Sequence, residues 1–411
     1  MWKEKMKGYL IVVMLVCGGY SVRVCKNFND YKDPFSPNCY SNPDGERNIT
    51  ENIASWGFQV EEHYVTTEDG YILLLIRAYY QIFRPTPLIL GHGILMNGQG
   101  YTLRGNESLV HVLGSQGYDV WIINFRGTKY SLGHTHLSHK KYEYWDYSLD
   151  EIGRYDVKAV LDRVLLQTGQ QAIYIGYSMS SKAALIYGTT YPHLAQYQLK
   201  ALITLGPTVF YINSTTIFNL QIPFMKLIRT LDKTVFQGSL YSLFAKVMPL
   251  CVLNKASMVL CQVVNNLAFG EDSEQIDPLL APVFFKQLAD TIASKVFEHM
   301  SQISVSEKFQ HFDYGSQENL IKYGQSKPPA YELSNFPVPV SSWVGLNDAF
   351  STLPSAFKLH SLLRPEQSCS INVIEHQKWN HLDFFEAKDI TKLLYKRLLP
   401  VIENLEIQYC E

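Results

Sequence analysis

Gly176-Tyr177-Ser178-Met179-Ser180 follows directly on the apolar run Ala172–Ile175 and precedes the helix-compatible segment Ser181–Tyr187. A strand that runs into Gly-x-Ser-x-small and then a helix has the context of a nucleophile elbow, a sharp turn that exposes the serine at the end of a sheet. Gly176 supplies the small residue two places before the serine, and Ser180 stands two places after it, where glycine is usual. A serine hydroxyl is a weak nucleophile until a base takes its proton and a carboxylate orients that base. On this kind of scaffold the chain order is serine, acid, histidine. Asp348 closes Val344-Gly345-Leu346-Asn347-Asp348, and His381 lies in Trp379-Asn380-His381-Leu382-Asp383-Phe384, so the order is met. Singly, Asp348 is an ordinary turn residue and His381 an ordinary surface histidine. Each following a strand candidate and in this order, they form a candidate relay with Ser178 for acyl transfer. That chemistry also needs donors for a developing oxyanion, each worth roughly 3–4 kcal/mol in the transition state. Gly91-His92-Gly93-Ile94 follows the strand candidate Pro87–Leu90, and such a turn presents a backbone N–H; the N–H of Met179 is the second candidate.

Placing these groups together requires a sheet. Tyr71–Ile76, Pro87–Leu90, Val120–Ile123, Ala172–Ile175, Ala201–Leu205, Val338–Val340 and Ile371–Ile374 are near-continuous apolar runs. Runs of that kind indicate strands buried on both faces of a parallel sheet. Between them, Ser148-Leu149-Asp150-Glu151 has the form of a capping box, and Ile152, Tyr155, Val160 and Val164 continue with helical spacing. The alternation predicts an α/β architecture. It breaks between Pro207 and Asn335, where the chain becomes helix-rich and apolar. From Pro207 to Gly270 there are five cationic residues, Lys226, Arg229, Lys233, Lys246 and Lys255, against one acid, Asp232. An apolar, mildly basic helical insertion is either a cap over an active site or a helical subdomain with its own core.

Lys3, Lys5 and Lys7 precede the apolar run Tyr9–Cys17 and the small residues Gly18 and Gly19, so residues 1–24 are expected to be a secretory signal peptide. The run is short for a membrane anchor, and no later segment offers about 18 uninterrupted apolar residues. After the leader, Cys25, Cys39, Cys251, Cys261, Cys369 and Cys410 remain, enough for three disulfides in an oxidising compartment. Cys251 and Cys261 are the simplest pair to propose; the other pairings are open. Asn48, Asn106 and Asn213 begin sequons and are candidate glycosylation sites. With 46% hydrophobic and 18% charged residues the 411-residue chain has ample material for a core, and a net charge of −2 gives no electrostatic case for nucleic acid. His92, His134 and His136 do not make a metal site, and neither metal nor organic cofactor is implied.

Longer stretches carry a resemblance. Trp56–His63, Thr67–Ile72, His92–Leu95, Gly117–Trp121, Asn124–Gly127, Tyr130-Ser131, His134, Trp145, Ser148–Glu151, Tyr155-Asp156, Gly176–Ser178, Gly345–Asp348 and Asn380–Phe384 resemble the gastric and lysosomal acid lipase family, over nearly the whole mature chain. The resemblance implies an α/β-hydrolase fold, with a core in 25–206 and 336–411 and a helical cap and lid in 207–335. It matches Ser178, Asp348 and His381 to the family's triad, Ile94 and Met179 to its oxyanion donors, and Cys251–Cys261 to its cap disulfide. It further implies hydrolysis of triacylglycerols and sterol esters, usually at acidic pH, at a lipid–water interface and in a secreted or lysosomal setting. A lipid-binding or carrier homologue that kept the fold and lost activity is the alternative. Three departures stand out: Ser180 for the usual glycine, Lys182 for a small residue, and the run Ile94–Gly98. Ser180 is expected to slow the enzyme unless a neighbour has compensated.

Overall fold

The computed structural model describes residues 22–33, 35–215, 217–407 and 410, with the backbone alone at 217–219 and 221. The expected leader lies mostly outside these residues. Its last three, Val22–Val24, do not: they belong to strand β1 (Val22–Cys25), which pairs antiparallel with β2 (Cys39–Asn42). Val22 and Val24 are buried in the core, so the fold begins before the position drawn for the leader's end.

Nine described strands form the main sheet: β3 (Gln59–Thr66), β4 (Tyr71–Tyr79), β5 (Leu88–Gly91), β6 (Val120–Ile123), β7 (Gly133–His134), β8 (Ala172–Tyr177), β9 (Leu199–Leu205), β10 (Val340–Val344) and β11 (Ser368–Val373). Their order is β11-β10-β9-β8-β5-β6-β4-β3, with β7 beside β4. From β11 to β6 every pairing is parallel. The strand over Tyr71–Ile76 departs from expectation, because β4 runs antiparallel to both β3 and β6. Two further strands are shifted: β10 starts at Val340, where the run Val338–Val340 ends, and β11 starts three residues before Ile371. Pro339 lacks an N–H for a ladder, which explains the first shift.

Strand alternation divides the core in two. Leu88, Leu90, Ile122, Ile173 and Ile175 face one layer, while Ile89, Trp121, Ile123 and Tyr174 face the other. Each aliphatic side chain so buried contributes about 1.5–3 kcal/mol. The capping box at Ser148 and Glu151 is present, but the helix after it widens into a π-helical stretch over Ile152–Val157 before α1 (Lys158–Thr168). Gly153 lies in that stretch against Ile186 of α2 (Met179–Thr190), where a Cβ would collide. No helix among the described residues is long and apolar enough to cross a membrane.

The segment 207–335 is helical and has two characters. From α3 (Met225–Leu231) through α4 (Ser242–Val247) to α5 (Lys255–Phe269), few side chains are buried, and Leu227, Val235, Val247, Leu253, Leu260, Val263 and Leu267 are exposed. The following α6 (Ala281–Gln287) and α7 (Ser294–Ser306) are instead built into the core through Val283, Phe284, Phe285, Val296, Phe297 and Ile303. Disulfides join Cys251 to Cys261, Cys25 to Cys39, and Cys369 to Cys410.

Candidate active site

Ser178 stands between β8 and α2, with φ 51° and ψ −113°. Backbone of that kind in a residue with a Cβ costs of order 1–3 kcal/mol and persists only where its surroundings fix it. Here Ser178 N–H donates to Leu205 O at 2.9 Å, and Ser181 donates through N–H to Ser178 O and through Oγ to Gly176 O at 2.8 Å. A Cβ at Gly176 would lie 2.9 Å from Ser181 N, so the turn closes only over glycine.

Because β8, β10 and β11 are parallel, the loops after them leave the same edge of the sheet, and this brings the three candidate residues together. His381 Nε2 is 2.9 Å from Ser178 Oγ, and His381 Nδ1 is 2.7 Å from Asp348 Oδ2. Asp348 Oδ1 accepts the N–H groups of Phe350 and Ser351 at 2.8 and 2.7 Å. The imidazole proton is thereby assigned to Nδ1, leaving Nε2 to accept from the serine hydroxyl. His381 is itself pinned: its N–H donates to Phe269 O, and its carbonyl accepts from Tyr177 Oη at 2.8 Å. Gly206, with φ 55°, passes so close that a Cβ there would lie 3.2 Å from His381 Nδ1 and 3.3 Å from Asp348 Oδ2.

The turn after β5 is equally constrained. Phe125 N–H donates to His92 Nε2 at 3.1 Å, so Nδ1 carries the ring proton and donates to Gly93 O at 2.8 Å. Burial lowers this imidazole to about 4, which keeps it neutral for the task. A trans peptide points its C=O and N–H in opposite directions, so the N–H of Ile94 is turned away from His92. Leu95 follows at φ 57°, its carbonyl accepting from Asp290 N–H. Asn97 then donates to Asp290 Oδ2 at 2.8 Å, and Asn124 Oδ1 accepts from Gly98 N–H at 3.0 Å. The unusual run Ile94–Gly98 is therefore a braced loop. Its anchor, Asp290, lies in the insertion and was not legible as a site residue.

Ser178 and His381 floor an apolar pocket walled by Ile94, Leu95 and Met96 from the core and by Phe244, Met248, Phe269, Phe284, Leu288, Phe297 and Met300 from the insertion. Ser178 is only 3% exposed beneath this cover.

Two of the sequence departures acquire an explanation. Ser180 is fully buried, and its Oγ shares a 2.7 Å hydrogen bond with Tyr174 Oη. The facing residue is Gly91, where a Cβ would overlap Ser180 Oγ. Space and partner are both provided, so the elbow has adapted to serine. Ser180→Gly is accordingly expected to be no faster than the parent and less stable, by about 1–3 kcal/mol for the orphaned Tyr174 hydroxyl. Turnover per folded molecule and the thermal midpoint check this. Lys182, buried with no exposure, donates from Nζ to Tyr211 Oη, and burial holds its ammonium form well below the ordinary range.

The loop that carries His381 rests on carboxyl groups. Asn380 N–H donates to Asp383 Oδ2 at 2.6 Å, and Asn380 Oδ1 accepts from Leu382 and Asp383. Burial and then Glu386 raise Asp383 well above the carboxylate range; burial and then Asp272 raise Glu386 to about 7, against a lowering by Arg104. A carboxyl group raised in the folded state gives stability that is full below its unfolded value near 4.5 and is lost as pH climbs through 7. Glu386→Gln should remove this loss. Its melting temperature relative to the parent is expected to rise steadily from pH 5 to pH 8; a constant difference would contradict the assignment. Among the described residues, Asp272, Glu274 and His376 form the one grouping close enough to hold a cation, and Lys378 Nζ already occupies Glu274 at 2.7 Å.

Comparisons with known proteins give the family. Residues 49–105 match the partial alpha/beta-hydrolase lipase region and residues 86–238 the alpha/beta hydrolase fold. Lysosomal acid lipase/cholesteryl ester hydrolase of Macaca fascicularis is 31% identical over 89% of this chain and 93% of its own. Lipase member N of Homo sapiens is 30% identical over 88% of this chain and 92% of its own, and gastric triacylglycerol lipase of Rattus norvegicus is 30% identical over 88% and 93%. The solved structure of lip1 from Acinetobacter baumannii AYE superposes with a TM-score of 0.50 at 16% identity, covering 87% of this chain and 96% of that one, a likeness of fold alone. At 30% identity across nearly the full length of these relatives, the chain belongs to the gastric and lysosomal acid lipase family of α/β-hydrolases.

Proposed function

We propose that the protein is a secreted or lysosomal lipase that hydrolyses carboxylic esters of lipids, triacylglycerols or sterol esters, through an acyl-enzyme on Ser178. The observation that carries this reading is the relay from Asp348 Oδ2 through His381 to Ser178 Oγ, at 2.7 and 2.9 Å, on the floor of an apolar pocket. His381 Nε2 takes the hydroxyl proton as Oγ attacks the ester carbonyl, and Asp348 stabilises the imidazolium that forms. The N–H groups of Ile94 and Met179 receive the oxyanion. Collapse of the tetrahedral intermediate breaks the ester C–O bond, and His381 returns the proton to the departing alcohol. Water, deprotonated by the same nitrogen, then releases the fatty acid and restores Ser178.

In this reading 25–206 and 336–411 form the catalytic core and 207–335 the cap, of which α3 to α5 are the outer part. The exposed leucines and valines of those helices, with Lys226, Lys246 and Lys255 and no exposed acid between Pro207 and Gly270, suit a lipid–water interface. Asn48, Asn106 and Asn213 are exposed, as glycan acceptors must be. The test is fatty-acid release from an emulsified triacylglycerol and from a sterol ester by the purified protein. Absence of release from both would end the proposal.

A further inference from the structure

Helix α5 has a divided surface. Val259, Leu260, Val263, Val264 and Leu267 are exposed, whereas Asn265 and Phe269, one turn apart, line the pocket above Ser178. Asn265 is out of place there. The other lining side chains are hydrocarbon or thioether, apart from the Ser178–His381 pair and Tyr177, whose hydroxyl is committed to His381 O. The Asn265 amide has no hydrogen-bond partner among the described residues. One turn earlier, Gln262 Nε2 is buried and likewise unpartnered. A helix that needed only to cover an apolar pocket would place an apolar residue at 265, as it does at Phe269. Asn265 is half-buried, and an amide in such a lining is placed to pair a polar group that enters the pocket.

The amide offers one acceptor oxygen and two donor hydrogens. An alcohol hydroxyl uses both functions, since it donates and accepts. In a mono- or diacylglycerol a free hydroxyl lies close to the scissile ester; in a sterol ester the alcohol half carries none. On the reading that Ser178 is the nucleophile, we infer that Asn265 determines specificity by hydrogen-bonding a free hydroxyl on the alcohol half of the substrate, so that partial acylglycerols are favoured over esters of hydroxyl-free alcohols. A pocket that pairs a substrate hydroxyl discriminates against the analogue lacking it more sharply than an apolar wall discriminates by size.

The experiment compares the protein with Asn265→Leu, which keeps the side-chain shape and removes the polarity. In the same detergent micelles, kcat/KM is measured for 1-monooleoylglycerol and for methyl oleate, and the ratio of the two is expected to fall about tenfold in the variant, the size of one neutral hydrogen bond. A ratio cancels any loss of folded protein. A second arm measures binding of the non-hydrolysable ether 1-O-oleylglycerol against oleyl methyl ether, with a preference of about tenfold expected in the parent and lost in the variant. Hydrolysis with both ratios unchanged would overturn the role of Asn265 while leaving the proposed function intact. A parent that hydrolyses neither ester but keeps the binding preference would overturn the proposed function and support the amide's role. Absence of hydrolysis and of preference would overturn both.

Discussion

Replacing Ser178 with alanine is expected to lower kcat for ester hydrolysis by about six orders of magnitude, the loss seen when the nucleophile of a serine hydrolase is removed. His381 and Asp348 cannot compensate, because neither is placed to attack the carbonyl that Ser178 Oγ faces. What remains is substrate binding and the oxyanion donors, together worth about 10³–10⁴ over water. The fold should tolerate the change. Alanine keeps the Cβ that already sits at φ 51°, and the backbone bonds from Ser178 N–H to Leu205 and from Ser181 to Ser178 do not involve the hydroxyl. The check is turnover of a short-chain p-nitrophenyl ester alongside the thermal midpoint. Near-parental turnover would remove Ser178 from the mechanism.

Asp348→Asn is expected to reduce kcat by about 10⁴, with little change in structure. The two carboxylate oxygens of Asp348 have different partners. Asp348 Oδ1 accepts from Phe350 and Ser351 N–H, so in the variant the amide oxygen takes that place and the NH₂ group faces His381. A donor opposite Nδ1 forces that nitrogen to accept, moving the imidazole proton to Nε2. Nε2 then points a hydrogen at Ser178 Oγ and cannot act as base. A crystal structure of the variant with intact Ser178–His381 spacing, together with the kinetic loss, would separate this tautomer effect from displacement of the loop. Loss of less than tenfold would contradict the assigned role of Asp348.

Much of the molecule was legible because its chemistry is ordered along the chain. The strand into Gly176-Tyr177-Ser178, the acid after β10 and the histidine after β11 each announce themselves locally. The sense of β4 did not: Leu73, Leu74, Leu75 and Ile76 are all buried, and burial on both faces looks the same in a parallel or antiparallel strand. β3 was not read as a strand, because Gln59–Thr66 is a largely exposed edge rich in polar residues. The insertion's helices were visible, but their division was not. Phe284 and Leu227 are equally apolar, and only the fold shows that one is core and the other surface. Contacts between distant segments were beyond reach for the same reason. Tyr174 with Ser180 and Gly91, Asn97 with Asp290, and Gly206 beside His381 exist only once the sheet brings them together. That is why the compensation at Ser180, by Tyr174 and Gly91, could be named only as a condition.

Activation of Ser178 as a nucleophile by His381 can be read out by treating the protein with a fluorophosphonate and locating the adduct by peptide mass spectrometry. The phosphorus reacts only with a serine whose proton a neighbouring base can take, so it reports the relay independently of any lipid substrate. One stoichiometric adduct is expected, on Ser178, absent from Ser178→Ala and strongly slowed in Asp348→Asn. A folded protein that binds lipid and leaves Ser178 unlabelled would contradict it, and would make the chain a carrier on a hydrolase fold.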